Sequence, residues 1–223
     1  NLHYKVVVYI FHKKEQELIS GIKYLTNTFD TEKLKIGIFI GQLFKTIDHK
    51  LSDSAYLNVT HIGGLGFSYL TEAPDFTSLV NLEYIGDKAF VDLKETPDFT
   101  KMTSLKHIGD GAFFNLTEAP KFTNLKNLEY IGEGAFANLT ETPDFTNLIN
   151  LKHIGGKAFY NLKETPDFTK LTSLKHIGDG VFANLTATPD FTKLTSLKHI
   201  GDGAFFNLTE APKFTNLINL EHI

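Results

Sequence analysis

Apolar residues along most of this chain follow neither of the two regular periods. Taking one stretch, they fall at Ile85, Ala89, Phe90, Leu93, Phe99, Met102, Leu105 and then Ile108. A strand repeats its inward face every two residues and a helix about every 3.6, so the three-residue steps from Phe99 to Ile108 suit neither. They suit a thin coil that turns an apolar residue inward at each corner. The whole pattern then recurs every 23 residues, with an Ile-Gly pair at Ile62, Ile85, Ile108, Ile131, Ile154, Ile177 and Ile200, and Ile223 in register after them. Such coils leave apolar edges open above and below, and stacking on near-identical neighbours closes them. Two internal columns of phenylalanine are expected, one running from Phe67 to Phe205 and the other from Phe76 to Phe214. At the inter-strand spacing of about 4.8 Å, seven coils would rise roughly 34 Å.

Within each coil the predicted strand is the segment ending in Ile-Gly, as in Leu105 to Gly109 and Leu128 to Gly132. The following stretch, GAFANL in one copy, reads as a short 3₁₀ or helical turn. All seven prolines share one repeat position, Pro74 to Pro212. Proline cannot donate to a ladder, so that side is expected to be extended or turn-like and not the main sheet.

Residues 1–60 do not repeat. Lys5 to Phe11 is β-branched and aromatic, residues 13–29 place Leu18, Ile22, Leu25 and Phe29 on one helical face, and Lys35 to Phe44 reads as a second strand. The expectation is a small βαβ-like segment, either a cap on the first coil or the end of a preceding α/β domain, with the solenoid over 61–223. The missing initiator Met and the stop in mid-repeat suggest an excerpt of a longer protein.

In a regular array any polar position becomes a stripe. The residue before each Ile is His61, Tyr84, His107, Tyr130, His153, His176, His199 and His222, and the residue before that includes Glu83, Lys106, Glu129, Lys152, Lys175, Lys198 and Glu221. Aromatic rings beside charges make the composition that contact surfaces favour, so these residues are the candidate binding surface. A solvent-facing ladder that merely aids stacking is the plainer alternative, and a pH-sensitive stripe or adventitious metal binding are others. Near the prolines, Glu72, Glu95, Glu118, Glu141, Glu164 and Glu210, with Asp75, Asp98, Asp144, Asp167 and Asp190, form a second stripe. It reads as a solvated acidic face, although carboxylate columns can also hold calcium or meet a basic partner. The Thr column from Thr77 to Thr215 and the Asn column from Asn115 to Asn207 are expected to satisfy backbone groups at turns. Four of the five Asn-x-Thr sequons, at Asn58, Asn115, Asn138, Asn184 and Asn207, arise from the repeat itself.

Charge and composition narrow the function further. Residues 62–223 carry fourteen Lys against twenty acids, and there is no Arg anywhere. Without a basic surface or guanidinium forks, nucleic acid is not an expected partner. The absence of Cys excludes disulfides and Cys-ligated zinc, and the longest apolar run, Val6 to Phe11, is far too short to span a membrane. No cofactor or metal is expected. Polar residues recur almost uniformly, whereas a catalytic centre needs unique residues held at one place, so the array is not expected to be an enzyme.

The string IGxxAFxxL at a 23-residue period resembles the BspA-like, or treponemal-type, leucine-rich repeat over residues 62–223. Ile-Gly and Phe recur in all seven units, and Ala fails only at Gly66 and Val181. Departures from the family pattern are Leu where it has Cys, and TPDFTKL (165–171) where it has LxxIxLP. The expected fold is therefore an α/β-type repeat solenoid, a leucine-rich-repeat-like coil of seven repeats with parallel strands. The resemblance implies an adhesion or macromolecule-binding module of a microbial surface protein, meeting a protein or glycan ligand at the cell surface. Two other expectations stand beside it: end-to-end self-association into a filament or shell, and a ligand-sensing arm of a larger receptor or enzyme.

Overall fold

The computed structural model describes residues 7–8, 37–38, 60–68, 76–77, 79–122, 124–145, 147–214 and 217–223. They form a solenoid whose spine is one parallel sheet of nine two-residue strands in sequential order. These are β1 (Val7–Val8), β2 (Gly37–Ile38), β3 (His61–Ile62), β4 (Tyr84–Ile85), β5 (His107–Ile108), β6 (Tyr130–Ile131), β7 (His153–Ile154), β8 (His176–Ile177) and β9 (His199–Ile200). From β3 onward each Ile pairs with the next Ile and each His or Tyr with the next His or Tyr, so the register is the repeat itself. β1 and β2 lie within the two apolar runs at 5–11 and 35–44 and extend the sheet in parallel. The helix expected over 13–29 falls outside the described residues.

Side chains alternate across a strand, and two residues suffice here: Ile is buried, its His or Tyr neighbour half-buried. The three-residue steps that follow have an equally local cause. Met102 N–H donates to the Phe99 carbonyl and Leu105 N–H to the Met102 carbonyl, so each apolar residue closes one turn and opens the next. The same turns recur at Phe145, Leu148 and Leu151. The strands are on the Ile-Gly side, and the proline side carries turns and, among the described residues, one isolated bridge, Asp98 with Lys121.

The segment after each strand differs from the short helical turn predicted for it, and no helix occurs among the described residues. Its amides are divided between two directions. Ala89 N–H donates within its coil to Gly86, while Lys88 and Phe90 donate to Asp110 and Ala112 of the next coil. A helix would keep all of these bonds internal. The resulting tight turns hold Lys88 at φ 55° and Asp92 at φ 56°. Later coils place Gly111, Gly134 and Asn138 at the corresponding positions, residue types that tolerate this left-handed region well.

Inside, both phenylalanine columns are present. Phe90, Phe113 and Phe136 stack at centroid distances of 5.3 and 5.2 Å, and Phe99 meets Phe113 edge-on at 5.2 Å. Phe67, Phe90, Phe113, Phe136, Phe159 and Phe182 are fully buried, with the Ile, Leu and Ala columns packed about them. No polar or charged side chain is buried among the described residues. The coils approach so closely that the Gly after each Ile has a steric reason. A Cβ on Gly155 would lie 2.5 Å from Glu133 N and 2.6 Å from the Gly132 carbonyl carbon, both backbone atoms of the coil beneath.

Candidate binding surface

The strand face positions every residue of the candidate stripe. Because successive strands are in register, the ring before each Ile sits directly over its counterpart. Centroids are 5.4 Å apart for His61–Tyr84, 4.4 Å for Tyr84–His107, 4.4 Å for His107–Tyr130 and 4.6 Å for Tyr130–His153. The ladder continues at 4.4 Å for His153–His176, 5.8 Å for the tilted His176–His199 pair and 5.0 Å for His199–His222. At its first rung the Thr60 hydroxyl and His61 Nδ1 share a hydrogen bond of 2.8 Å.

Beside the rings the charged column forms ion pairs between coils. Lys106 reaches Glu83 at 3.0 Å, Lys152 reaches Glu129 at 2.7 Å and Lys198 reaches Glu221 at 2.8 Å. All six groups are exposed, so solvent screens each pair and its net contribution is small. Lys152 and Lys198 thus pair with carboxylates on the coils away from Lys175. Lys175, between them, has no ion pair among the described residues. His199 Nε2 also lies 3.8 Å from the Glu221 carboxylate, an ion pair only when the imidazole is protonated.

Half-burial within the stack shifts the proton affinity of His153, His176, Tyr84 and Tyr130. Burial, then the neighbouring His176 and His107, pushes His153 down to about 4. His176 is lowered by burial and by His199, with Asp179 opposing. Tyr84 and Tyr130 are raised, chiefly by burial and then by the carboxylates of Asp87 and Asp110. The stacked imidazoles lie face over face instead of converging on a point, and no group of three or more His, Asp or Glu among the described residues is placed to hold a metal ion.

The other stripes have structural partners. Asp98 and Asp167 accept the backbone N–H of Thr100 and Thr169 at 2.8 and 2.9 Å, which holds both carboxyls below their usual range. Those threonines thus give their own N–H to an aspartate, and hydroxyls of two other columns bridge coils. Thr96 donates to the Glu118 carbonyl at 2.9 Å and Thr186 to the Lys163 carbonyl at 2.8 Å. The asparagines depart from the expected backbone role. They occupy the left-handed region and bond one another, Asn161 Nδ2 to Asn138 Oδ1 at 3.0 Å and Asn207 Nδ2 to Asn184 Oδ1 at 2.9 Å.

Two features escape column-by-column reading. Aspartates two residues after Ile bond the next coil's backbone, Asp87 Oδ1 accepting from Asp110 N at 3.0 Å and Asp110 Oδ1 from Glu133 N at 2.8 Å. The other feature is a notch on the turn side. Six residues after each Ile from Ile85 to Ile200 the chain carries Val91, Phe114, Ala137, Tyr160, Ala183 and Phe206, a column whose uneven size is the one signal of it in the sequence. Between Phe114 and Tyr160 it opens into a cavity of about 660 Å³.

No helix among the described residues is long and apolar enough to cross a membrane. No curated protein matches the chain. The family model of the BspA type leucine rich repeat region matches it over residues 43–164 and 106–223, beginning upstream of the first Ile-Gly pair at Ile62. With that match spanning most of its length and a parallel solenoid of the same period beneath it, the chain belongs to the BspA-type leucine-rich repeat family.

Proposed function

We propose that the strand face is a protein-binding surface and that the chain serves as an adhesion module of a microbial surface protein. The observation that supports this reading most is the continuous, half-exposed ladder of eight rings from His61 to His222, flanked by a charged column in which Lys175 has no ion pair among the described residues. Rings pre-stacked on a rigid sheet lose little freedom on binding, and aromatic anchors beside charges are what interfaces concentrate. Binding without chemistry is the function that a uniform array serves best, since its polar groups recur instead of converging. Membership of a family of repeat proteins is consistent with this, at the level of analogy.

Solid-phase binding of the folded chain to immobilised host matrix proteins tests the proposal. A chain carrying Tyr130→Ala, His153→Ala and Lys175→Glu together should bind at least tenfold more weakly, a loss of about 1.4 kcal/mol. Absence of binding by the parent chain, or equal binding by the variant, would count against it.

A further inference from the structure

We propose that the notch between Phe114 and Tyr160 is a saccharide-binding site that seats one neutral hexose of an oligosaccharide. It is separate from the strand face, and it lies where the array stops being uniform. Phe114 and Tyr160 stand on coils two apart, about 9.6 Å at the usual spacing, which leaves room for one ring between them. Gly134 and the buried Ala137 of the middle coil form the floor. A Cβ built on Gly134 would meet nothing within 4 Å, whereas at Gly111 and Gly180 the Lys88 and Lys157 side chains lie 3.4 and 3.5 Å away. The opening of about 660 Å³ is within the roughly 300–1,000 Å³ of small-ligand pockets.

The rim explains why the occupant is a sugar. Lys88 and Lys157 bring ammonium groups, Glu133 a carboxylate with no hydrogen bond among the described residues, and Asp92 and Asp110 carboxylates that accept from Asn115 Nδ2 and from Glu133 N–H. Asn138 accepts from Asn161 through Oδ1, and its side-chain Nδ2 hydrogens remain unbonded among the described residues. Donors and acceptors of both signs surround the notch, with three carboxylates against two ammonium groups, which disfavours an anionic ligand and matches a ring that bears many hydroxyls. A hexose also has an apolar C–H face to lay on an aromatic ring while its hydroxyls reach the edges. A peptide strand would need free backbone groups to pair with. Here Ala137 N–H is bonded to Gly134 and Asn138 N–H to Tyr160. Small-between-rings occurs again at Tyr160, Ala183 and Phe206, so an oligosaccharide running along the turn side would meet a second such step.

Saturation-transfer NMR of the folded chain with neutral glucose, galactose and mannose tetrasaccharides, and with sulfated and sialylated ones, tests the site. Ala137→Phe fills the notch with the residue the same column already carries at Phe114 and Phe206, and Tyr160→Ala removes one wall. At least one neutral tetrasaccharide should bind the parent chain and bind each variant about tenfold more weakly, with Ala137→Phe leaving strand-face binding to matrix proteins unchanged. If Ala137→Phe fails to fold by circular dichroism, Ala137→Val replaces it, since the same column carries valine at Val91. No transfer from any neutral member, transfer from charged members only, or transfer that the filled notch does not reduce would overturn the proposal.

Discussion

The two halves of the strand face share one geometry and differ in their ring and charge columns. From His61 to Tyr130 the rings alternate between imidazole and phenol, beside Glu83, Lys106 and Glu129, whose opposite charges can pair. From His153 to His222 every ring is an imidazole, beside three consecutive lysines. The stacking distances overlap in the two halves, at 4.4 to 5.4 Å and 4.4 to 5.8 Å. Burial nevertheless acts in opposite directions on Tyr84 and Tyr130 of the first half and on His153 and His176 of the second. A phenol pushed up keeps its proton and stays neutral across the physiological range, while an imidazole pushed down loses its proton and stays neutral only until the solution becomes acidic. Repetition therefore supplies the scaffold, and the identity of the outward residue decides how each stretch responds to its surroundings.

The core should not share this asymmetry. Phe113 and Phe159 are equally buried in equivalent coils. Phe113→Ala and Phe159→Ala should each cost about 3–5 kcal/mol in urea denaturation, and a large difference between them would mean that the two halves differ inside as well as outside. A smaller effect is expected where the halves join. Gly155→Ala drives a methyl group into backbone that cannot rotate away, so a loss of about 1–3 kcal/mol is expected, along with a broader or two-step transition as the coils on either side uncouple.

Acid sharpens the comparison further. An imidazole held below its unfolded value of 6.5 is protonated first in the unfolded chain. Stability is then fully present above pH 6.5 and declines as the pH falls toward 4. For a ring that is half exposed, screening holds the effect of His153 to about 1 kcal/mol. His153→Tyr, which continues the alternation of the first half, should flatten the fall of melting temperature between pH 7 and pH 5. An unchanged profile would show that His153 is not the group responsible. The smallest effect belongs to Lys175→Glu, which sets a carboxylate between Lys152 and Lys198 and should raise stability by about 0–1 kcal/mol at low salt and by less in 1 M salt.

How much of this is legible depends on whether a residue's role is repeated. Ile85, Phe90, Phe99, Met102 and Leu105 recur at fixed intervals, and the same interval that marks them as a core also puts them in register, so coil, columns and strand side can all be read from spacing. The GAFANL segment has the composition of a helical turn and does not form one. What excludes a helix is the next coil, which accepts the Phe90 and Lys88 amides and holds Lys88 in the left-handed region. For the candidate surface, spacing places His107 beside Tyr130 but does not say that Lys152 and Lys198 pair on the coils away from Lys175. The notch is harder still, because it is made by a difference between neighbouring coils, Ala137 between Phe114 and Tyr160, and a search for what repeats passes over what does not.

By itself the sequence determined the period, the buried columns and the line along which rings would stack, because a one-dimensional repeat with no insertions permits one stacking register. Tertiary structure alone decided the direction of each turn-side amide, the proton affinity of His153 and the existence of the cavity over Gly134. Each of these depends on atoms of a neighbouring coil, and on how closely one coil approaches the next.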